Sequence, residues 1–328
     1  MQNNGRYPRI NLRSKNELAK RISDKSFSFQ SSLKLINDVL KNYNDYWYDS
    51  RQSQPEKGKF VRSSVGKPLG KLLKRINRKV LIPYDKLVPN FIFGGISKKD
   101  HIQAAYSLLG KQKNRMLLGL DISTFFEQIR KERVFYFFHA KCGCSARVSR
   151  ILASVCCVPA GKKGSGSKVE VLARGFSTSS RLSVWTNLDT FLRLKWVTDR
   201  NLRNHDSKIV IFVDDIGISA SRVTKNNLEI LSRKIQAILS DFDRNQKLPI
   251  NNKKTKIRSF TEGVEHLGLR LGRNKITAGY KTKKKLDKIK TEIKSSSGLN
   301  KKDLINKVKA YYVYKKQIKN VYSNSSNV

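Results

Sequence analysis

Ile209-Val-Ile-Phe-Val213-Asp214-Asp215-Ile216-Gly-Ile-Ser219 sets two adjacent carboxylates between two short apolar runs. The runs are rich in β-branched residues and bounded by polar ones, and Asp is a favoured turn residue, so the stretch predicts a hairpin with Asp214 and Asp215 at its turn. A polar turn would by itself account for that pair. A second apolar run, Met116-Leu-Leu-Gly-Leu-Asp121, also ends in a carboxylate and predicts a buried strand with a charge at its tip. Burying an unpaired carboxylate is costly and neighbouring ones repel, so clustered Asp121, Asp214 and Asp215 would be stabilised by divalent cations. Oxygen ligands select Mg²⁺, with Mn²⁺ a substitute. Two such ions about 4 Å apart would activate a hydroxyl and stabilise the leaving oxygen of a phosphoryl transfer.

The rest of the chain supplies a setting for that chemistry. Its 328 residues carry 68 Lys and Arg against 25 Asp and Glu, a net charge of +43 that points to a polyanionic partner. The cations are spread along the chain and interleaved with Tyr and Phe. A membrane-surface protein would gather them beside one apolar helix face, so nucleic acid is the better partner. No apolar run approaches the roughly 20 residues of a membrane span, and the N-terminus lacks the apolar stretch of a signal peptide, so a cytoplasmic protein is expected. The four cysteines, Cys142, Cys144, Cys156 and Cys157, read as reduced thiols, since their spacing is not a usual zinc pattern.

Composition divides the chain into four segments. Residues 1–58 read as a helical N-terminal extension, with Leu18, Ile22, Leu33, Ile36 and Leu40 at helical spacing. Residues 59–115 break into short pieces punctuated by Pro68, Pro83, Pro89 and Gly94-Gly95, which predicts mixed loops, short strands and helices. Residues 116–274 hold the carboxylate strands and a Gly/Ser/Lys loop near 159–170. They also hold a helix face of Leu182, Trp185, Leu188, Leu192 and Trp196, and a second face of Leu228, Leu231, Ile235, Ile238, Leu239 and Phe242. Residues 275–328 carry 15 lysines against three acidic residues and read as a basic helical appendage broken near Ser295-Ser-Ser-Gly298.

Five stretches in order, Leu120-Asp121-Ile122-Ser-Thr-Phe125-Phe126, Ala173-Arg174-Gly175-Phe-Ser-Thr-Ser179, Phe212-Val-Asp214-Asp215, Ile250-Asn-Asn-Lys253-Lys254-Thr255 and His266-Leu267-Gly268-Leu269, resemble the palm motifs of a reverse transcriptase. The resemblance is to the bacterial retron and group II intron-like branch and runs from about Lys59 to about Lys316. It implies an α+β right-hand polymerase: fingers at 59–115, palm at 116–274 and a short helical thumb at 275–328, with no RNase H or endonuclease domain expected. In that family Asp121, Asp214 and Asp215, with the Ile122 carbonyl, would ligate two Mg²⁺ ions. Phe126, five residues after Asp121, would exclude the ribonucleotide 2′-hydroxyl and so select dNTPs, the alternative being that it packs in the core as Phe125 is expected to do. Gly175, Arg174, Lys59 and Arg62 would belong to the dNTP site. Lys71 falls among the finger residues that hold triphosphate or template. Lys253 or Lys254 would protonate the pyrophosphate, and His266, Leu267 and Gly268 would form the primer grip.

The chain departs from the usual motifs at Ala173-Arg174-Gly175, where Pro-Gln-Gly is common, and at Phe212-Val-Asp-Asp, where Tyr-Ala-Asp-Asp is common. Retron enzymes also carry a Val-Thr-Gly and an Asn-Ala-x-x-His where this chain has His266-Leu-Gly and Ala104-Ala105-Tyr-Ser-Leu108. These departures make it more similar to the diverged defence-associated reverse transcriptases of bacteria, which act with a structured noncoding RNA against phage. The implied partners are a noncoding RNA template, a DNA product or primer, and dNTPs. The primer, oligomeric state and any partner protein stay open. So do the alternatives of a retron enzyme making RNA-linked DNA, an RNA-binding scaffold without turnover, and template-independent nucleotide addition.

Overall fold

The computed structural model describes residues 6–112, 114–241, 247–295 and 297–323, and the chain forms two compact units, each assembled from separated stretches. The first comprises Lys99–Asp121, Arg193–Ile238 and Ile250–Val328. Its centre is an antiparallel sheet of β1 (Arg115–Asp121), β2 (Lys208–Phe212), β3 (Asp215–Ser221) and β4 (Lys256–Ser259), in the order β2-β3-β1-β4. Strands β1 and β3 pair over seven residues, from Arg115 opposite Ser221 to Asp121 opposite Asp215. Leu117, Leu118, Ile216 and Ile218 are fully buried, which explains continuous apolar runs where a one-faced strand would alternate. At the far end of β1, the buried Arg115 guanidinium is paired to Asp206 at 2.5 Å and donates to the Ser219 hydroxyl, so its charge is compensated inside the unit.

A smaller sheet follows, with β5 (Val264–His266), β6 (Leu269–Leu271) and β7 (Ile276–Ala278) in the order β7-β6-β5. Leu267 and Gly268 join the first two strands, and both have positive φ, the backbone of a tight two-residue hairpin turn. Helices Tyr280–Ser295 and Gly298–Ser323 pack on each other beyond it. The break between them falls where it is expected, although Ser296 lies outside the described residues. Tyr314 stacks on His101 at 5.8 Å between ring centres, whereas Tyr312 and Val313 are exposed, so the Tyr311–Tyr314 run is only partly core.

The second unit comprises Met1–Lys98, Ile122–Leu192 and Leu239–Pro249 and is mainly helical. Helices Lys15–Ile22 and Phe29–Lys41 start at Ser14 and Ser28, whose hydroxyls accept N–H bonds from Glu17 and Ser31. The buried stripe of the second is Ser32, Ile36 and Val39. Leu40 is exposed and Leu33 only half-buried, so the predicted face is rotated by one position toward the small Ser32. Within the stretch expected to mix loops, short strands and helices, the chain is helical from Pro68 to Leu87: an α-helix to Ile76, a π turn to Leu81 and a 3₁₀ segment to Leu87. Pro68 and Pro83 sit in the first turns of their segments, where a missing N–H costs nothing, so the punctuation they supply is the start of a helical segment.

The single face expected from Leu182 to Trp196 is divided at Asn187 into helices Ser179–Thr186 and Leu188–Asn201. The second helix restarts the phase, burying Phe191, Leu194 and Thr198 and leaving Trp196 59% exposed with the Arg200 guanidinium 5.2 Å from its ring centre. Helix Lys225–Ser240 buries Leu228, Leu231, Ile235 and Leu239, while Phe242 lies outside the described residues. Cys142, Cys144, Cys156 and Cys157 are buried free thiols, and burial pushes Cys156 up to about 12, which fits packing rather than ligation or nucleophilic work. Among the described residues no helix is long and apolar enough to cross a membrane.

Candidate active site

Only Val213 and Asp214 separate the last pair of the β2–β3 hairpin, Phe212 opposite Asp215. Val213 has φ 59°, a conformation that costs a β-branched residue energy and that persists where surrounding structure imposes it. Asp215 lies directly across from Asp121 on the neighbouring strand, so three carboxylates occupy one end of the sheet. Burial, reinforced by the charges of Asp214 and Asp121, pushes the Asp215 carboxyl up to about 6. The turn Asn251–Thr255 is fastened to the same end, the Asn251 N–H donating to the Asp121 carbonyl at 2.8 Å. From that turn the Lys254 Nζ donates to Asp121 Oδ1 at 2.8 Å, and this bond raises the Lys254 pKa. Lys253 is exposed. Of the two candidate lysines, the fold therefore brings Lys254 to the carboxylates.

Among the described residues, no three Asp, Glu, His or Cys side chains form a ready-made metal cage. The donor set nonetheless fits a hard divalent cation. Asp121, Asp214 and Asp215 offer only oxygen, and the upward push on Asp215 records burial first and then repulsion from Asp214 and Asp121, both of which such a cation would offset. Ile122 is buried and begins the other unit's second stretch.

Two residues behind the carboxylates, on the same face of the strands, Gly119 stands opposite Gly217. The space left by two absent side chains is taken by His266 and Lys256. A Cβ at position 217 would lie 2.5 Å from His266 Nε2, and one at 119 would lie 3.0 Å from Lys256 Cε. Burial, with the Lys256 charge beside it, lowers the His266 imidazole to about 3, so it is neutral at physiological pH. The Lys256 Nζ donates to the Glu265 carbonyl, and burial lowers its pKa. His266, Leu267 and Gly268 thus sit at the end of a hairpin seated on the carboxylate strands. Lys256 escaped the sequence reading, although its place two residues after Lys254 in a β-like stretch was the available signal.

The remaining candidates belong to the helical unit. Phe126 is 7% exposed, and the Arg174 guanidinium lies 4.9 Å from its ring centre. The same guanidinium makes a two-pronged pair with Glu127, at 3.0 and 2.9 Å. Gly175 has φ 101°, and a Cβ there would lie 2.5 Å from the Arg62 carbonyl, so the close approach its lack of side chain permits is to strand Arg62–Ser63.

Arg62 is buried, paired with Asp49 and donating to the Gly161 carbonyl, so its guanidinium is committed to holding the loop. Lys163 of that loop is pinned as well: its Nζ donates to the Asn44 and Trp47 carbonyls at 2.6 Å each and lies over the Trp47 ring. Lys59 closes a short turn by backbone bonds to Gln54. Lys71 lines a cavity of about 820 Å³ with Lys34, Lys67, Lys74, Phe27 and Val65.

A family model described as reverse transcriptase (RNA-dependent DNA polymerase) matches residues 54–271, and the chain belongs to that family. No curated protein matches it.

Proposed function

We propose that this reverse transcriptase performs two-metal nucleotide addition at the Asp121, Asp214 and Asp215 end of its central sheet, extending a primer on a dedicated noncoding RNA. As a family member the chain is an RNA-directed DNA polymerase, a nucleotidyltransferase. The observation that carries the finer reading is the register that sets Asp121 opposite Asp215, with Asp214 in the adjoining two-residue turn and Lys254 bonded to Asp121. Divalent ions bound by these carboxylates would supply charge neutralisation and activation of the primer 3′-hydroxyl. Lys254 would hold the proton passed to the pyrophosphate, and Phe126 would exclude the ribonucleotide 2′-hydroxyl. The seated β5–β6 hairpin would present the primer terminus.

A role in bacterial defence against phage is also part of the proposal. It is supported by the motif departures at Ala173-Arg174-Gly175, Phe212-Val213 and His266-Leu267-Gly268, which separate the chain from ordinary retron enzymes.

The deciding experiment purifies the protein and an Asp214→Ala/Asp215→Ala double variant from cells and sequences all copurifying RNA and DNA. One RNA shared by both proteins, with complementary DNA on the intact protein alone, is the expected result. DNA on both would refute the carboxylate assignment, and DNA unrelated to the RNA would refute the dedicated template. DNA covalently joined to RNA would select the retron alternative, and plaque counts on cells expressing either version test the defence role.

A further inference from the structure

The turn that carries Phe126 also carries Glu127, and both contact Arg174. Phe126 and Glu127 are consecutive in the 3₁₀ segment Phe125–Gln128, while Arg174 follows strand Glu170–Leu172. The Glu127–Arg174 pair is largely buried, each side chain 18% exposed, and its two parallel bonds fix the guanidinium plane. Phe126 also meets the Phe125 ring edge-on at 5.8 Å. The Phe126 ring thus contacts both a neighbouring ring and an oriented cation.

We infer that Glu127 and Arg174 together are positioning residues for Phe126 and set how strictly the enzyme rejects ribonucleotides. This rests on the reading of Phe126 as the group that meets the sugar 2′ position. It also gives a physical reason for arginine where related enzymes carry glutamine: a glutamine amide has neither the charge nor the fork to bind Glu127 with two ionic bonds. A ring that only packs can rock to admit a 2′-hydroxyl. A ring capped by a guanidinium that is itself held from behind cannot do so without breaking the ion pair.

The test compares kcat/KM for dNTP and rNTP insertion on one primed RNA in the full-length protein and in Arg174→Gln, Glu127→Gln and Phe126→Ala variants. Both supporting variants should raise the rNTP:dNTP ratio about tenfold, the scale of a desolvated cation–ring contact, and Phe126→Ala should raise it further. A role confined to folding would lower both insertions together and leave the ratio unchanged. An unchanged ratio in both supporting variants, with a raised one in Phe126→Ala, overturns the inference and leaves the sugar-selection reading standing. A ratio that moves in Arg174→Gln but not in Glu127→Gln also overturns it, because Arg174 would then act on the substrate itself. No change in Phe126→Ala means that the sugar-selection reading has failed, and the inference with it. Where Arg174→Gln does not fold, Arg174→Lys, which keeps the charge and loses the fork, is measured in its place with the same expectation.

Discussion

Lys253 and Lys254 are adjacent, equally charged and equally plausible in the sequence, yet only Lys254 is bonded to Asp121. The selection comes from the turn: the Asn251 N–H is tied to the Asp121 carbonyl and the Lys254 N–H to the Asn251 carbonyl, so the backbone fixes which lysine faces the strand. A positioned proton donor contributes about 10² to 10⁴ to a rate. Lys254→Ala should therefore lower the single-turnover rate of dNTP insertion at least about 100-fold, with Lys253→Ala within about threefold of the parent. Equal losses in rapid-quench measurements would refute the assignment. The three aspartates were legible because carboxylates at the ends of apolar runs are rare in so basic a chain. The fate of Arg62 was not: Asp49 lies 13 residues earlier and Gly161 99 residues later, and nothing local distinguishes their partner from a solvated arginine.

Strands were easier to read than the joints between them. The β1 run and the β2–β3 hairpin were visible because burial on both faces writes continuous apolar stretches, while the boundaries of the helical segments over Pro68–Leu87 were hidden because prolines at segment starts and within segments look alike without the fold. The seating of the β5–β6 hairpin was also hidden, since Gly119, Gly217 and His266 become neighbours only through strand register. That seating has a thermodynamic consequence. His266 is lowered to about 3 from an ordinary value near 6.5, so between those values the unfolded chain binds the proton that the folded chain excludes. Stability is therefore undiminished by this group above about pH 6.5 and falls as pH drops toward 3. In denaturant titrations a His266→Phe variant should show a shallower loss of stability between pH 6.5 and 4 than the parent. Parallel pH profiles would show that the imidazole is not held neutral.

Across the whole chain the +43 charge points to a polyanionic partner but says nothing of where it lies. Many cations are consumed internally: Arg62 on Asp49, Arg115 on Asp206, Arg174 on Glu127, Arg181 on Asp85 and Lys163 on backbone carbonyls. Lys34, Lys67, Lys71 and Lys74 are instead exposed around one cavity of the helical unit, whose apolar wall includes Phe27. Asp38 is the acidic side chain on that wall, so the four lysines outnumber it and the cavity favours a phosphate backbone. If single-stranded RNA runs through it, each lysine that displaces a counterion adds about −0.7 to the slope of log affinity against log salt. Replacing all four with Gln should make that slope shallower by about 3, measured by RNA binding across a salt series, and should weaken unrelated sequences equally because phosphates carry no base identity. Four control replacements among Lys284, Lys288, Lys290 and Lys294 test whether the effect is local. If they flatten the slope as much as the cavity set does, RNA binding follows total charge and the cavity has no special part in it.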